Sequence, residues 1–211
     1  MGQGLVVAPR PGRPTCPQCG LHPNICVCDR CRPVPNRTPV TVLQHPSEVG
    51  RAKGTLRILQ RCLGSVRVLV GETAEQFELA GLASSDLTRT GLLFPGPTSQ
   101  PLEQADLSAI DHWLVLDGTW RKAARILHQN PALAELPRYH FAQPPTSRYV
   151  VRKAPGDHHL ATAEAVSYLL KQAEPDLDTG AIDDAMTALV EQQLAQIPAP
   201  LRHRYPKPPP A

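Results

Sequence analysis

The chain has 211 residues, of which 41% are hydrophobic and 19% charged, a globular balance that excludes a wholly disordered protein. No apolar run reaches the roughly 18 residues of a membrane span, and the apolar stretch near the first residue is too short for a secretory signal core, so a cytoplasmic protein with no membrane partner is expected. The net charge of +3 permits a nucleic-acid partner without requiring one.

Proline and charge are unevenly spread. Nine of the 24 prolines lie in residues 1–46 and six in residues 196–211, so both ends are expected to be irregular. Both ends are also basic, whereas residues 171–195 carry six acids and one Lys, an asymmetry suited to a polyanion on one face. The expected layout is a Cys-rich metal-binding segment over 1–37, a catalytic domain over 38–197 and a Pro-rich basic tail over 198–211.

Five of the six cysteines fall between Cys16 and Cys31. The order C-P-Q-C, six residues, then C-V-C gives two compact pairs, Cys16 with Cys19 and Cys26 with Cys28. Each pair closes a tight turn that aims two thiolates at one point, and four thiolates describe a structural zinc site. The segment has too few large apolar residues to form a core, and a metal supplies the missing folding energy, on the order of 10 kcal/mol in small zinc peptides. An iron–sulfur cluster is the competing metal reading, and Cys31 competes as a fourth ligand. Cys62 sits in a helical apolar pattern and reads as core.

After Pro39, strands and helices alternate. Strands are expected over 38–44, 65–72, 90–96, 112–118 and 138–142, and helices over 52–63, 74–82, 119–129, 160–173 and 179–196. That alternation implies an α/β domain with a mostly parallel sheet and flanking helices. Ligands of such sheets bind beyond the carboxyl ends of the strands. The rule picks out the loops His45-Pro46-Ser47-Glu48, Gly71-Glu72-Thr73 and Asp117-Gly118-Thr119-Trp120.

The stretch LVLDGTWRKAARIL carries the most chemistry. Asp117 ends a buried strand, Gly118 permits a turn, Thr119 can cap the following helix, and Trp120 opens it with a flat ring. Arg121, Arg125 and His128 share one helical face. An acid, a hydroxyl, an aromatic ring and cations thus converge, although a plain strand-to-helix turn with Asp117 or Thr119 as cap has the same spelling. Thr162 and Glu164 open another helix, as cap and first-turn acid. Arg57 and Arg61 lie at i, i+4. In SRYVVRK, Arg148, Arg152 and Lys153 surround Tyr149, a pattern suited to phosphate contacts with base stacking.

The ordered set of C-x2-C…C-x-C, HPSE, LDGTWRKAAR, SRYVVRK and TAEA resembles the DTW-domain family from Cys16 to about Leu170. The resemblance implies a SPOUT-like, knotted α/β domain. It also implies a tRNA-uridine aminocarboxypropyltransferase that moves the 3-amino-3-carboxypropyl group of S-adenosylmethionine to uridine N3. Its cofactor pocket would involve Leu116, Gly118, Thr119 and Trp120 from the DGTW segment. Thr55, Thr162 and Glu164 would complete it. Asp117 would serve as the base, or as the group that fixes the cofactor. Arg57, Arg121, Arg125, Arg148, Tyr149, Arg152 and Lys153 would face tRNA. A monomer is expected. Gly54-Thr55 departs from the Asn-Thr pair expected after HPSE and removes one amide side chain from the pocket. An RNA methyltransferase of the same fold and a non-catalytic zinc RNA-binding protein are the alternative readings.

Overall fold

A computed structural model describes residues 14–83, 87–151 and 159–205. Its strands are β1 (Val40–Gln44), β2 (Val66–Val70), β3 (Thr90–Leu93), β4 (Gln100–Pro101), β5 (His112–Asp117) and β6 (Arg138–His140). They form one sheet in the order β2-β1-β5-β3-β6-β4, with every pairing parallel. Five strands fall inside the expected spans. β4 is the addition: it is two residues long and, among the described residues, pairs only with β6.

The helices are α1 (Leu56–Cys62), α2 (Ala74–Leu79), α3 (Trp120–Gln129), α4 (Pro131–Ala134), α5 (Thr162–Ala173) and α6 (Gly180–Ala195). They cover both faces of the sheet, and the period-two alternation of the central strands sorts the core accordingly. Val40 and Val42 of β1 and Trp113 and Val115 of β5 join residues of α1, α5 and α6. Leu43, Leu114 and Leu92 point the other way and meet Phe77 of α2, Ile126 of α3 and Leu133 of α4. At the sheet centre Gly91 of β3 pairs with Trp113. A Cβ at Gly91 would lie 2.4 Å from the Trp113 ring, so only glycine fits there.

Three local expectations differ from the structure. α1 starts four residues later than expected, because Arg51–Gly54 closes a turn through Gly54 N–H to the Arg51 carbonyl at 2.9 Å. Asn130-Pro131 ends α3, yet Pro131 also opens α4, where its missing N–H costs nothing. A 3-10 turn, Ala199–Arg204, occupies part of the tail expected to be irregular. No helix among the described residues is long and apolar enough to cross a membrane.

The Cys-rich segment shares its core with the sheet domain. Val27 and Val34 are buried in the cluster of α1, α5 and α6, and Val34 bridges to Leu63. Arg32 pairs with Asp184 of α6. Glu174, at the end of α5, accepts the backbone amides of Arg37 and Thr38, the latter at 2.7 Å. Both sides of the expected boundary at 37–38 are therefore fastened to the same helices.

Candidate active site and cysteine cluster

Asp117 and Gln44 end neighbouring strands in register. The Gln44 amide donates to Asp117 Oδ2 at 2.8 Å, and the Thr162 hydroxyl donates to Oδ1 at 2.6 Å. Both carboxylate oxygens thus have protein donors, while the backbone carbonyl of Asp117 accepts from His45 N–H at 3.0 Å. Two expected caps are not made. Thr119 makes no side-chain bond to α3, and Thr162 is the first residue of α5 rather than its cap. Glu164 instead closes the start of α5 by accepting the Ala161 amide at 2.7 Å. It also accepts the Ser147 hydroxyl at 2.9 Å and the Arg148 amide at 2.7 Å, so it fastens the SRYVV segment to the helix.

Two adjoining cavities open beside this constellation. The first, about 460 Å³, is walled largely by apolar and aromatic groups including Leu116, Phe94, Phe141, Trp120 and His159. Trp120 is 51% exposed, so it does not fill the core. Its ring meets Phe94 with centroids 5.7 Å apart and His159, edge-on, at 5.8 Å. The second, about 480 Å³, is bordered by charged and polar groups: Glu48, Arg51, Lys53, Thr55, Asp117 and Lys122. Gly118, Thr119, Tyr149, Ala161 and Thr162 border both.

The HPSE loop is held from several sides. His45 Nδ1 accepts the Ser47 amide at 3.1 Å, and its Nε2 meets Glu72 at 2.5 Å. Glu72 also pairs with Arg125 at 2.7 Å. Glu48 pairs with Lys122 at 2.6 Å across the second cavity. Thr55 is buried, and its hydroxyl accepts the Ala163 amide at 3.1 Å, which joins the start of α1 to α5. Glu48 belongs to a loop that the strand-end rule picks out, whereas Lys53 and Lys122 were missed as site residues, and for Lys122 its place within WRK was the available signal.

The residues expected to face RNA divide. Arg121 is exposed on α3, and Arg125 is exposed although paired with Glu72. Arg148 is half-buried. Tyr149 is 4% exposed and donates its hydroxyl to the Lys53 carbonyl at 2.8 Å, so its ring is enclosed in the wall between the two cavities and not presented on the surface. Arg57 is half-buried. Its Nη1 donates to the Ala52 and Gly54 carbonyls, and its Nε and Nη2 are buried. Arg152 and Lys153 lie outside the described residues.

Near the other end of α1, the sulfurs of Cys16, Cys19, Cys26 and Cys28 all lie within 4.8 Å of one another. Cys16 and Cys28 are 4.0 Å apart, and Cys19 and Cys26 are 3.7 Å apart. A tetrahedral zinc with arms of about 2.3 Å needs edges of roughly 3.8 Å, so the four donors fit that ion. The turn depends on Gly20, whose φ is +70° and whose amide returns to the Cys16 carbonyl at 2.8 Å. The Gln18 amide, helped by that of Cys19, pulls the Cys16 thiol down to about 7, against a smaller upward push from burial. Cys31 points elsewhere: its thiol donates to the Val27 carbonyl at 3.4 Å and interacts with buried Cys62. It is not part of the cluster.

Fold and site together define an α/β ligand-binding domain with a two-part pocket at the carboxyl edge of a parallel sheet and a four-cysteine knuckle beside it. The chain belongs to the DTW-domain family, which it matches over residues 13–197. It is 30% identical over 182 residues to tRNA-uridine aminocarboxypropyltransferase 2 of Mus musculus, covering 81% of this chain and 60% of that protein. The protein of the same name in Drosophila melanogaster is 31% identical over 185 residues, covering 82% of this chain and 73% of the relative. The one in Macaca fascicularis is 26% identical over 179 residues, covering 81% and 60%. The chain thus spans about 60% of the length of the mouse and macaque relatives. No solved structure matches it.

Proposed function

We propose that the chain is a tRNA-uridine aminocarboxypropyltransferase that uses S-adenosylmethionine. Family membership supports this reading, and one observation carries it: an aromatic cavity and a charged cavity meet at the wall of Gly118, Thr119 and Thr162, beside Asp117. The donor has two unlike ends, an adenosine and a zwitterionic amino-acid arm, and the pocket has two unlike halves. When bound, the sulfonium makes the arm methylene electrophilic, so attack by uridine N3 forms the C–N bond, breaks the C–S bond, releases methylthioadenosine and sends the N3 proton to solvent or a base.

This chain's residues supply positioning, which dominates such transfers. Trp120, Phe94 and His159 offer ring faces and edges to a purine, and Leu116 and Phe141 keep water out. Asp117, fixed by two donors, is built to hold a charge and suits the arm's ammonium. Lys122 and Lys53 bring positive charge to the same cavity for the arm's carboxylate. Exposed Arg121, together with Arg125 and Arg148, gives tRNA phosphates contacts close to the pocket mouth. The cysteine knuckle holds zinc in a structural role, away from the transfer.

Incubating the protein with S-adenosylmethionine and unmodified tRNA tests the reading. Methylthioadenosine with an aminocarboxypropylated uridine is the expected pair of products. S-adenosylhomocysteine would make it a methyltransferase, and tRNA binding without turnover would make it a non-catalytic RNA-binding protein.

A further inference from the structure

The proposed transfer has to remove a proton from uridine N3, and the carboxylate assigned to the arm's ammonium is already engaged. Asp117 carries the Gln44 amide on one oxygen and the Thr162 hydroxyl on the other. Glu48 is the other acid that borders the second cavity. Its Oε1 accepts Lys122 Nζ at 2.6 Å, while its Oε2 meets no partner among the described residues. The side chain is 20% exposed, so a substrate can reach it. The other proton acceptors are spent or misplaced. His140 and His159 border only the first cavity, the one given to adenosine. The Tyr149 phenol donates to the Lys53 carbonyl at 2.8 Å.

The turn that carries Glu48 is fixed against Asp117. His45 N–H donates to the Asp117 carbonyl at 3.0 Å, and Glu48 N–H donates to the His45 carbonyl at 2.9 Å. The His45 ring accepts the Ser47 amide of the same turn and is held by Glu72. Helix α3 closes on the turn at Gly118. A Cβ there would lie 3.1 Å from Lys122 Cβ and 3.6 Å from His45 Cβ, so loop and helix meet over the residue that has no side chain. Lys122 has three N–H donors and uses one on Glu48. The other two are left for the arm's carboxylate, and a single ammonium then sets Glu48 beside the arm. The remaining charged groups around Glu48 are Arg51 and Lys53 from the following loop and Asp117 from β5.

We infer that Glu48 is the catalytic base of the transfer and receives the N3 proton on Oε2 as N3 attacks the arm methylene. The inference rests on the aminocarboxypropyltransferase reading above. The N3 electrons form the C–N bond, the C–S pair leaves with sulfur in methylthioadenosine, and the proton passes to Glu48 and from there to water. The positive charge of the sulfonium thus departs as that proton. The N3 proton is weakly acidic in free uridine, but the new bond draws electrons from the nitrogen, and a carboxylate is then a sufficient acceptor. The same oxygen discriminates between pyrimidines. Cytidine N3 has a lone pair and no proton, so a carboxylate facing it repels where it would accept from uridine.

Wild type, Glu48→Gln and Glu48→Asp are compared on two tRNA transcripts, one containing uridine and one containing 5-fluorouridine throughout, whose N3 proton is more acidic. Methylthioadenosine release is followed against pH, and S-adenosylmethionine affinity is read separately by calorimetry. Glu48→Gln is expected to bind S-adenosylmethionine within about threefold of wild type and to lose about 10²–10⁴ in turnover on uridine. Its loss on 5-fluorouridine should be smaller by about tenfold or more, because the more acidic proton needs the base less. The rise of wild-type turnover on the acidic side of the pH profile should disappear in Glu48→Gln. If Glu48→Gln does not fold, Glu48→Asp decides: it should keep that rise, at lower turnover, because the carboxylate remains but is set back by one methylene. Near-normal turnover in either variant, or loss of the acidic rise in Glu48→Asp, overturns the inference. An equal loss on both transcripts, or cofactor affinity falling in step with turnover, makes Glu48 only a support for Lys122 and overturns it too. Wild type that releases no methylthioadenosine on either transcript overturns the transferase reading, and this inference with it.

Discussion

Thr162 donates its hydroxyl to Oδ1 of Asp117 across 2.6 Å, joining the first residue of α5 to the last residue of β5. Gln44 takes the other oxygen from the neighbouring strand. Three segments far apart in the chain are thereby locked around one negative charge at the junction of two cavities, and the substitution of that charge is the sharpest test of the site.

In Asp117→Asn the amide can still accept from Gln44, and the Thr162 hydroxyl can turn to accept from the new NH2. The fold should survive at a cost of about 1 kcal/mol. A charge-assisted contact to the ammonium of S-adenosylmethionine is worth roughly 1.5–3 kcal/mol, so the dissociation constant should rise about 10–150-fold and turnover should fall with it. Calorimetry beside a transfer assay reads both. Intact cofactor affinity with turnover lowered by about 10²–10⁴ would instead make Asp117 the base. Near-normal values of both would leave it a structural acceptor.

Trp120 separates binding from stability. With its ring half in solvent, Trp120→Ala should change the unfolding free energy by less than about 1 kcal/mol, in contrast to the 3–5 typical of buried aromatics. Loss of a stacking face is worth about 1–3 kcal/mol, so ligand affinity should drop roughly 5–150-fold. A thermal melt and a binding titration on the same preparation suffice. A large stability loss would place the ring in the core.

Arg121 and Arg148 test the proposed tRNA contact. Each phosphate contact removed should weaken binding across sequences and make the slope of log affinity against log salt shallower by about 1. The double variant Arg121→Ala, Arg148→Ala should therefore lose affinity most at low salt while keeping S-adenosylmethionine binding. Filter binding at several salt concentrations decides it, and parallel lines for variant and wild type would remove both residues from the interface.

Glu174 governs how the knuckle responds to acid. Burial, its largest influence, would raise its pKa, but the amides of Arg37 and Thr38 and the Arg37 side chain outweigh it, so the folded carboxyl sits below its ordinary value. A depressed folded pKa means stability that is fully present above the unfolded value, about 4.3, and is lost as pH falls through the folded value. Glu174→Gln should cost about 1–3 kcal/mol at pH 7, with the gap to wild type narrowing below pH 4. Urea denaturation at pH 7, 4 and 3 measures the gap. A gap independent of pH would show that the charge is not what holds Arg37 and Thr38.

What could be read from the residues in order was everything local. β-branched runs marked β1 and β2, an apolar run ending in Asp117 marked β5, and 3.6-residue spacing marked α1, α5 and α6, because those periods reflect which face of an element is buried. The two cysteine pairs were equally local, since each turn aims its own thiolates. Tertiary contact decided the rest. β4 is two residues long and exists only because β6 offers it a partner. The i, i+4 spacing of Arg57 and Arg61 reads as a solvated face, yet Arg57 is half-buried with its Nε and Nη2 closed off, and Arg61 reaches Gln18 between two cysteines of the knuckle. Tyr149 looked like an exposed ring among cations until the loop before α1 and the helix α6 took its hydroxyl. Periodicity records that a face is covered or open only through the polarity of its residues. When a charged or phenolic side chain is buried against a distant segment that satisfies it, that polarity misleads, and only the meeting of the two segments in space reveals what the residue is for.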